Sequence, residues 1–416
     1  ESSFIRPIRN IFVLFDDEFI ELKNIEKKYK FSQTTFIYPH RSKNSKEINS
    51  IDRYFKFLES NGVIYSQERR KERILEQIKD IENEKNIKVE IDSTLLDEVV
   101  AITEYPNALY GSFDEKFLEL PNEVIITSMK INQKYFAIYK SDKLNNGFIV
   151  VCNSYDKDAF DEITKGNERV LKARLEDALF FYKNDKKSFI KDEIDERLKN
   201  IEFIQDSMFD KVEREIKIAS ILCEILNQDS NNITKAISIS KNDLLSEMVG
   251  EFGELQGIMG SYYTTDETLK LMIKEQYLPL QEDSLLPSSL ESAIVAISNK
   301  LDSILSLFAI DKIPSGSKDP FALRRAASGI IKIVMRFEIS LNLFDILPRL
   351  KLYYKKIDEN RIFEFFCERL ESTLNVNQSI INAAIKSNQK DFAELIKQIY
   401  ALKSIPNDFK ILFKRI

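Results

Sequence analysis

The hydrophobic pattern changes character near Tyr155, and that change limits the folds open to this chain. Before it, short apolar runs rich in strand formers recur: Ile11-Phe12-Val13-Leu14-Phe15, broken by Asp16-Asp17, then Glu123-Val124-Ile125-Ile126-Thr127, then Gly147-Phe148-Ile149-Val150-Val151. Between the first two, Ile74, Leu75, Ile78 and Ile81 form a helical stripe among many charges. After Tyr155, apolar residues return at spacings of three and four, which predicts helices over Arg169 to Tyr182, Lys186 to Phe203, Lys211 to Asn227, Thr265 to Gln276, Leu290 to Phe308, Phe321 to Phe337 and Asn360 to Leu370. The expected fold is therefore mixed. An α+β domain over 1–158 carries a charged helical insertion at about 66–88, a mainly α-helical domain follows over 159–342, and a helical segment occupies 343–416. A chain of 416 residues exceeds what one core usually organises, in keeping with several domains.

Rare residues narrow the chemistry. The single histidine, His40, excludes any mechanism that needs two histidines from this chain, including HExxH proteases and two-histidine iron oxygenases. Isolated in Tyr38-Pro39-His40-Arg41, it reads as a hydrogen-bonded loop or core residue. Cys152, Cys223 and Cys367 are far apart and show no CxxC spacing, so they are expected to pack as small reduced hydrophobes, as in a cytoplasmic protein. No apolar run is long enough to cross a bilayer, so no membrane partner is expected. The first residue is Glu1 and the chain ends at Lys414-Arg415-Ile416 inside an amphipathic pattern, which we read as an internal fragment of a longer polypeptide.

With a net charge of −6, the chain can meet nucleic acid only through a local basic surface. The segment 311–336 offers one, with six basic residues against two aspartates. Asp319 is a good N-cap and Pro320 suits a first helical position, so a helix is expected from Phe321. Its apolar stripe is Leu323, Ala326, Ala327, Ile330, Val334 and Phe337; Arg325, Lys332 and Arg336 share another face. Such a face can neutralise phosphates, helped by free N–H groups at the helix start, or it can be an ordinary solvated surface. Gly316-Ser317-Lys318 is no phosphate-cradling GxxxxGK[ST] loop, because Asp319 follows Lys318.

A second segment, Lys241 to Gly260, holds Gly250, Gly253, Gly257 and Gly260 in its last eleven residues, with Asp243, Glu247, Glu251 and Glu254 at helical spacing. These carboxylates can ligate a hard cation, line a wet face or bond to neighbouring helix ends; the structural readings are preferred.

Lys241 to Tyr263, together with Gly316 to Ala327, resembles the β-subunit family of the bacterial two-subunit glycyl-tRNA synthetase. Matches in the same order include Phe4-Ile5-Arg6-Pro7, His40-Arg41, 113–118, Gln133-Lys134-Tyr135-Phe136, Gly166-Asn167-Glu168-Arg169-Val170 and Arg174-Leu175. Asn132 departs from the family, which commonly has histidine there.

The resemblance implies an editing-module-like first domain, an HD-like helical domain, and in the last segment the start of an anticodon-binding domain. It implies that the chain binds and positions tRNA(Gly), while an α subunit, in an assembly of two α and two β chains, uses ATP and Mg2+ to make glycyl-tRNA. This chain would bind no cofactor and be inactive alone. The tRNA-facing candidates are Lys318, Arg324, Arg325, Lys332 and Arg336, with Lys410, Lys414 and Arg415 as a second set. Asn242, Asp243 and Asn299 stand where an HD enzyme keeps metal ligands, and asparagine is a poor replacement for imidazole. An HD-type nucleotide phosphohydrolase and a helical scaffold that never touches RNA are the rival readings.

Overall fold

The apolar run at 147–151 lies in the longest strand, Lys143–Asn153, which pairs antiparallel with Pro106–Ser112 on one side and Phe136–Lys140 on the other. Lys88–Val89 adds to the far edge of Phe136–Lys140, completing a four-stranded antiparallel sheet. This is a computed structural model, describing residues 10–22, 32–40, 43–188, 193–281, 284–314 and 318–405. The chain divides into two compact units, Glu1–Phe180 and Phe181–Ile416, a division that falls inside the helix Phe160–Ser188.

In the first unit, helices Gln67–Lys85 and Ser93–Ile102 cover the sheet. Ile74, Ile78, Leu95, Leu96, Val99 and Val100 pack on Val89, Phe136, Ile138 and Ile149. The charged helix expected at about 66–88 is thus a layer of this core, and two of its charges meet the sheet itself: Arg73 Nε donates to Pro106 O at 2.8 Å, and Glu82 Oε1 accepts from Val89 N at 2.9 Å. Ile11 to Phe15 is split between short strands Asn10–Ile11 and Leu14–Phe15, the latter turning back at Asp16-Asp17 onto Glu18–Phe19. The strand expected at 123–127 is instead a helix, Asn122–Thr127. Val124 and Ile125 are adjacent yet both fully buried, and tertiary packing outweighs their β-propensity. His40 is buried, with Nε2 3.3 Å from Asn153 O. Arg41 and Phe4-Ile5-Arg6-Pro7 lie outside the described residues.

The second unit is helical around one core. Met208–Leu226 starts at a reciprocal capping box between Ser207 and Asp210, and Leu290–Phe308 starts at Ser289, whose side chain accepts from Ser292 N. Leu323–Phe337 and Glu359–Leu374 pack against them, and Phe392–Ser404 joins the same core through Phe392, Leu395 and Ile399. That core continues through the boundary expected at 342/343. Of the helix expected over 186–203, residues 186–188 are the end of helix Phe160–Ser188 and 193–203 are not α-helical. Asp195 caps a 3₁₀ turn, Glu196–Asn200, a two-residue strand Glu202–Phe203 follows, and Ile204 takes a left-handed φ of 62°. Cys152, Cys223 and Cys367 are buried and free. No helix among the described residues is long and apolar enough to cross a membrane.

Candidate nucleic-acid interface

The basic helix runs from Leu323 to Phe337, two residues later than its sequence predicts. Ala322 adopts a left-handed φ of 55°, which interrupts the chain between Pro320 and the helix. Asp319 caps it nonetheless: Oδ1 accepts from Leu323 N at 2.9 Å and Oδ2 from Arg324 N at 3.0 Å. Two of the four N–H groups that a helix start leaves open are therefore already bound by a carboxylate, and the expectation that they help hold phosphate is corrected.

Leu323, Ala327, Ile330 and Val334 are buried as expected, joined by Gly329, Ile331 and Ile333. The opposite face builds a cleft of about 200 Å³. Arg324, Arg325, Ser328 and Lys332 form one wall; Pro279 and Leu280 form a second, and Arg369 and Ser372 come from helix Glu359–Leu374. Arg324 and Arg325 have no acidic partner among the described residues. Arg369 pairs with Glu368 at 3.0 Å, yet its buried Nε has no hydrogen-bond partner. Arg336 and Lys318 are exposed and do not line the cleft. Lys410, Lys414 and Arg415 lie outside the described residues, as do Gly316 and Ser317. The sequence reading missed Arg369, because no spacing within the basic segment connects it to a residue so far along the chain.

A second concentration of charge is buried. Lys211 Nζ pairs with Asp302 Oδ2 and Glu215 Oε1, both at 2.9 Å. Arg214 Nε donates to Asp302 Oδ1 at 2.6 Å and its other end meets Asp206; Tyr354 Oη donates to Asp302 Oδ1 at 2.8 Å. Lys241 lies 3.6 Å from Glu215 Oε2 and donates to Gln276 Oε1. Burial disfavours the Lys211 charge, but Asp302 and Glu215 outweigh it and hold its pKa above the usual lysine value. Asp302 is held below the usual carboxylate value: burial opposes this, and Lys211 and Arg214 prevail. Lys241 has weaker compensation from Glu215, and burial brings it down to about 8. This network also borders a cleft of about 490 Å³, but both of its lysines there already have acceptors within the chain.

The three residues that the resemblance sets at degenerate HD positions are separately engaged. Asn242 Nδ2 donates to Glu193 O at 2.9 Å, and its Oδ1 accepts from Asp195 N at 3.1 Å. Asn299 Nδ2 donates to Glu215 Oε1 at 3.0 Å. Asp243 Oδ2 accepts from Gly257 N at 2.5 Å and Gly260 N at 3.0 Å, while its buried Oδ1 has no partner. Burial pushes this carboxyl up to about 6 against those two N–H bonds. Gly257 is required by a φ of 80°; at Gly260, a Cβ would lie 3.0 Å from Ile273 Cγ2 and 3.2 Å from Asp243 Oδ2. Gly250 and Gly253 face open space. The helical spacing of the carboxylates is broken by turns at Phe252 and Gln256, leaving Glu247, Glu251 and Glu254 exposed and Asp243 buried. Among the described residues, no group of three or more His, Cys, Asp or Glu residues could hold a metal ion.

A profile of the family described as "Glycyl-tRNA synthetase beta subunit" matches residues 1–386. The glycine–tRNA ligase beta subunit of Helicobacter pylori (strain G27) is 45% identical over 438 aligned positions, covering 99% of this chain and 61% of that protein. Its counterpart from Limosilactobacillus reuteri (strain DSM 20016) is 39% identical, covering 97% of this chain and 61% of its own length. That from Streptococcus mutans serotype c is 42% identical over a shorter alignment, covering 80% of this chain and 50% of its own. The chain thus spans about three-fifths of the length of the first two relatives. By profile and by these identities, it belongs to the glycyl-tRNA synthetase beta subunit family.

Proposed function

We propose that the chain is a tRNA-binding part of a glycine–tRNA ligase, positioning tRNA(Gly) for ATP-dependent aminoacylation by an α subunit in a cytoplasmic assembly of two α and two β chains. In this reading ATP and Mg2+ are handled by the α subunit, and the chain alone does not aminoacylate. The observation that carries it is the cleft on helix Leu323–Phe337: Arg324 and Arg325 lack acidic partners among the described residues, and they stand beside Lys332 and Arg369 in a chain of net charge −6. Phosphodiesters would complete this surface. Arg336 and Lys318 extend it outside the cleft. Contacts of this kind fix register and affinity rather than read bases.

The test replaces Arg325, Lys332 and Arg336 by alanine. Binding to tRNA should weaken, and the slope of log K against log salt should fall by about 0.7–0.9 for each phosphate no longer neutralised. Unchanged affinity together with an unchanged slope would sink the assignment.

We also read the helical unit as HD-like without hydrolytic chemistry. Supporting this, Asn242, Asp243 and Asn299 are each engaged by different partners, and ammonium groups neutralise the carboxylates Glu215 and Asp302 that a metal would otherwise seek. Metal-dependent phosphate release that disappears on Asp243 substitution would favour the phosphohydrolase instead. Binding to the α subunit with no contribution to tRNA affinity would favour the scaffold.

A further inference from the structure

Arg325 also lines a second, larger cleft of about 770 Å³, which the reading above does not use. Its other cations are the exposed Lys274 and the buried Lys300, the latter on helix Leu290–Phe308. The Lys300 side chain is 9% exposed, and its ammonium donates to Tyr277 O at 2.8 Å and Pro279 O at 3.1 Å. An ammonium has three protons, and no third acceptor or carboxylate meets this one among the described residues. Burial, reinforced by the neighbouring cations Lys241, Arg325 and Lys211, brings its pKa down to about 8. Glu254 and Glu275 also line the cleft but pair with neither Lys300 nor Arg325; Glu275 Oε2 accepts from Ser288 N at 2.9 Å.

A buried cation without a counter-charge is costly unless a ligand brings one. Around Lys300 and Arg325 the wall is largely apolar and open to solvent: Phe321 is 49% exposed, Leu280 61% and Leu285 81%. The cleft therefore offers positive charge beside an exposed aromatic ring and aliphatic surface. Its volume is within the range of small-molecule sites. Gly329 keeps the basic helix close to this floor, since a Cβ there would lie 3.1 Å from Pro279 Cγ and 3.4 Å from Lys300 Cε.

We propose that this cleft binds a nucleoside phosphate, with the phosphate between Lys300 and Arg325 and the base against Phe321 and the neighbouring leucines. The ligand is a free mononucleotide or one nucleotide of an RNA strand; the recognition chemistry is the same. The proposal shares Arg325 with the tRNA reading but stands on Lys300 and Phe321.

Titrating the full-length protein with adenosine 5′-monophosphate, inorganic phosphate and a short single-stranded RNA tests it. The mononucleotide should bind saturably, and Arg325→Ala and Lys300→Met should each weaken it by about tenfold, the scale of removing one charge-assisted hydrogen bond. Phe321→Ala should weaken the mononucleotide but not inorganic phosphate, since stacking requires a base. Circular dichroism checks that Lys300→Met folds, while Arg325→Ala and Phe321→Ala alter exposed side chains. Displacement of the mononucleotide by RNA assigns the site to a strand, and failure of displacement assigns it to a free nucleotide. Absence of saturable mononucleotide binding, or binding indifferent to both Arg325→Ala and Phe321→Ala, overturns the proposal. Lys332→Ala with Arg336→Ala separates the two readings: it should lower tRNA affinity and leave mononucleotide binding intact.

Discussion

Two charged regions of the helical unit handle positive charge in opposite ways. Lys211, Arg214 and Lys241 are buried, and Glu215, Asp302 and Gln276 meet them inside the chain. Arg324 and Arg325 stand on a cleft and meet no acid among the described residues. The difference separates structural from functional charge. A buried cation without an internal counter-charge costs stability, which Lys211 and Arg214 avoid through Asp302 and which Lys300, held by two carbonyls only, does not. A partly exposed cation can remain in water until a ligand arrives, so its lack of partner costs little.

The comparison is most exposed at Asp302, which receives Lys211, Arg214 and Tyr354 together. Asp302→Ala would leave buried Lys211 with Glu215 alone and Arg214 with the partly exposed Asp206 alone, and a loss of about 3–5 kcal/mol in urea denaturation is expected. A loss below about 1 kcal/mol, typical of an exposed pair, would mean that the network is not the closed unit described.

Asp243 tests the same interior through pH. Its folded pKa of about 6 lies above the ordinary 3.8, so the native state holds more protons between those values. The stability this group contributes is full below about pH 4 and is lost as pH rises through about 6. Asp302 has the opposite sign: its folded value is depressed, so its contribution is present above its unfolded pKa and lost as pH falls. Asp243→Asn keeps an oxygen for the Gly257 and Gly260 N–H groups and removes the buried charge. Relative to the parent it should gain about 3 kcal/mol above pH 6 and almost nothing near pH 4. Denaturation midpoints across pH 4–7 check this, and a pH-independent difference contradicts it.

Asp319 links the interior to the cleft. Removing its cap with Asp319→Ala should cost about 1 kcal/mol and release Leu323 N and Arg324 N toward any anion nearby. A fall in stability with unchanged or higher tRNA affinity is expected. A large loss of tRNA affinity in a folded variant would show that the carboxylate itself organises the interface.

How much of this was legible in sequence depends on what each pattern encodes. The helix Leu290–Phe308 was bounded correctly because Ser289 and its apolar period agree. The run at 123–127 was misread because β-branched composition does not reveal that Val124 and Ile125 are enclosed by tertiary packing. The basic helix was visible by charge, whereas its delayed start depends on one backbone angle at Ala322. Lys211 and Glu215 stand four apart on one helix, a spacing that by itself does not mark burial; the facing helix turns them into a buried network with Asp302. A signal was present in Ser298-Asn299-Lys300-Leu301-Asp302, a polar stretch within an otherwise apolar helix. Such a stretch must be paired internally or serve a ligand, and both outcomes occur within it, at Asp302 and Lys300.

The smallest expected effect concerns Arg325, and its sign is what matters. This residue has no acidic partner among the described residues, and its charge opposes that of buried Lys300. Arg325→Ala should therefore leave folding stability within about 0.5 kcal/mol of the parent, with any change toward higher stability. Denaturant midpoints at pH 7 resolve this, and low salt should enlarge any gain because repulsion is then less screened. A destabilisation above about 1 kcal/mol would give Arg325 a structural role and dissolve the contrast with Asp302. A neutral or stabilising result combined with weaker nucleic-acid binding is the signature of a charge kept for a partner at the expense of the fold.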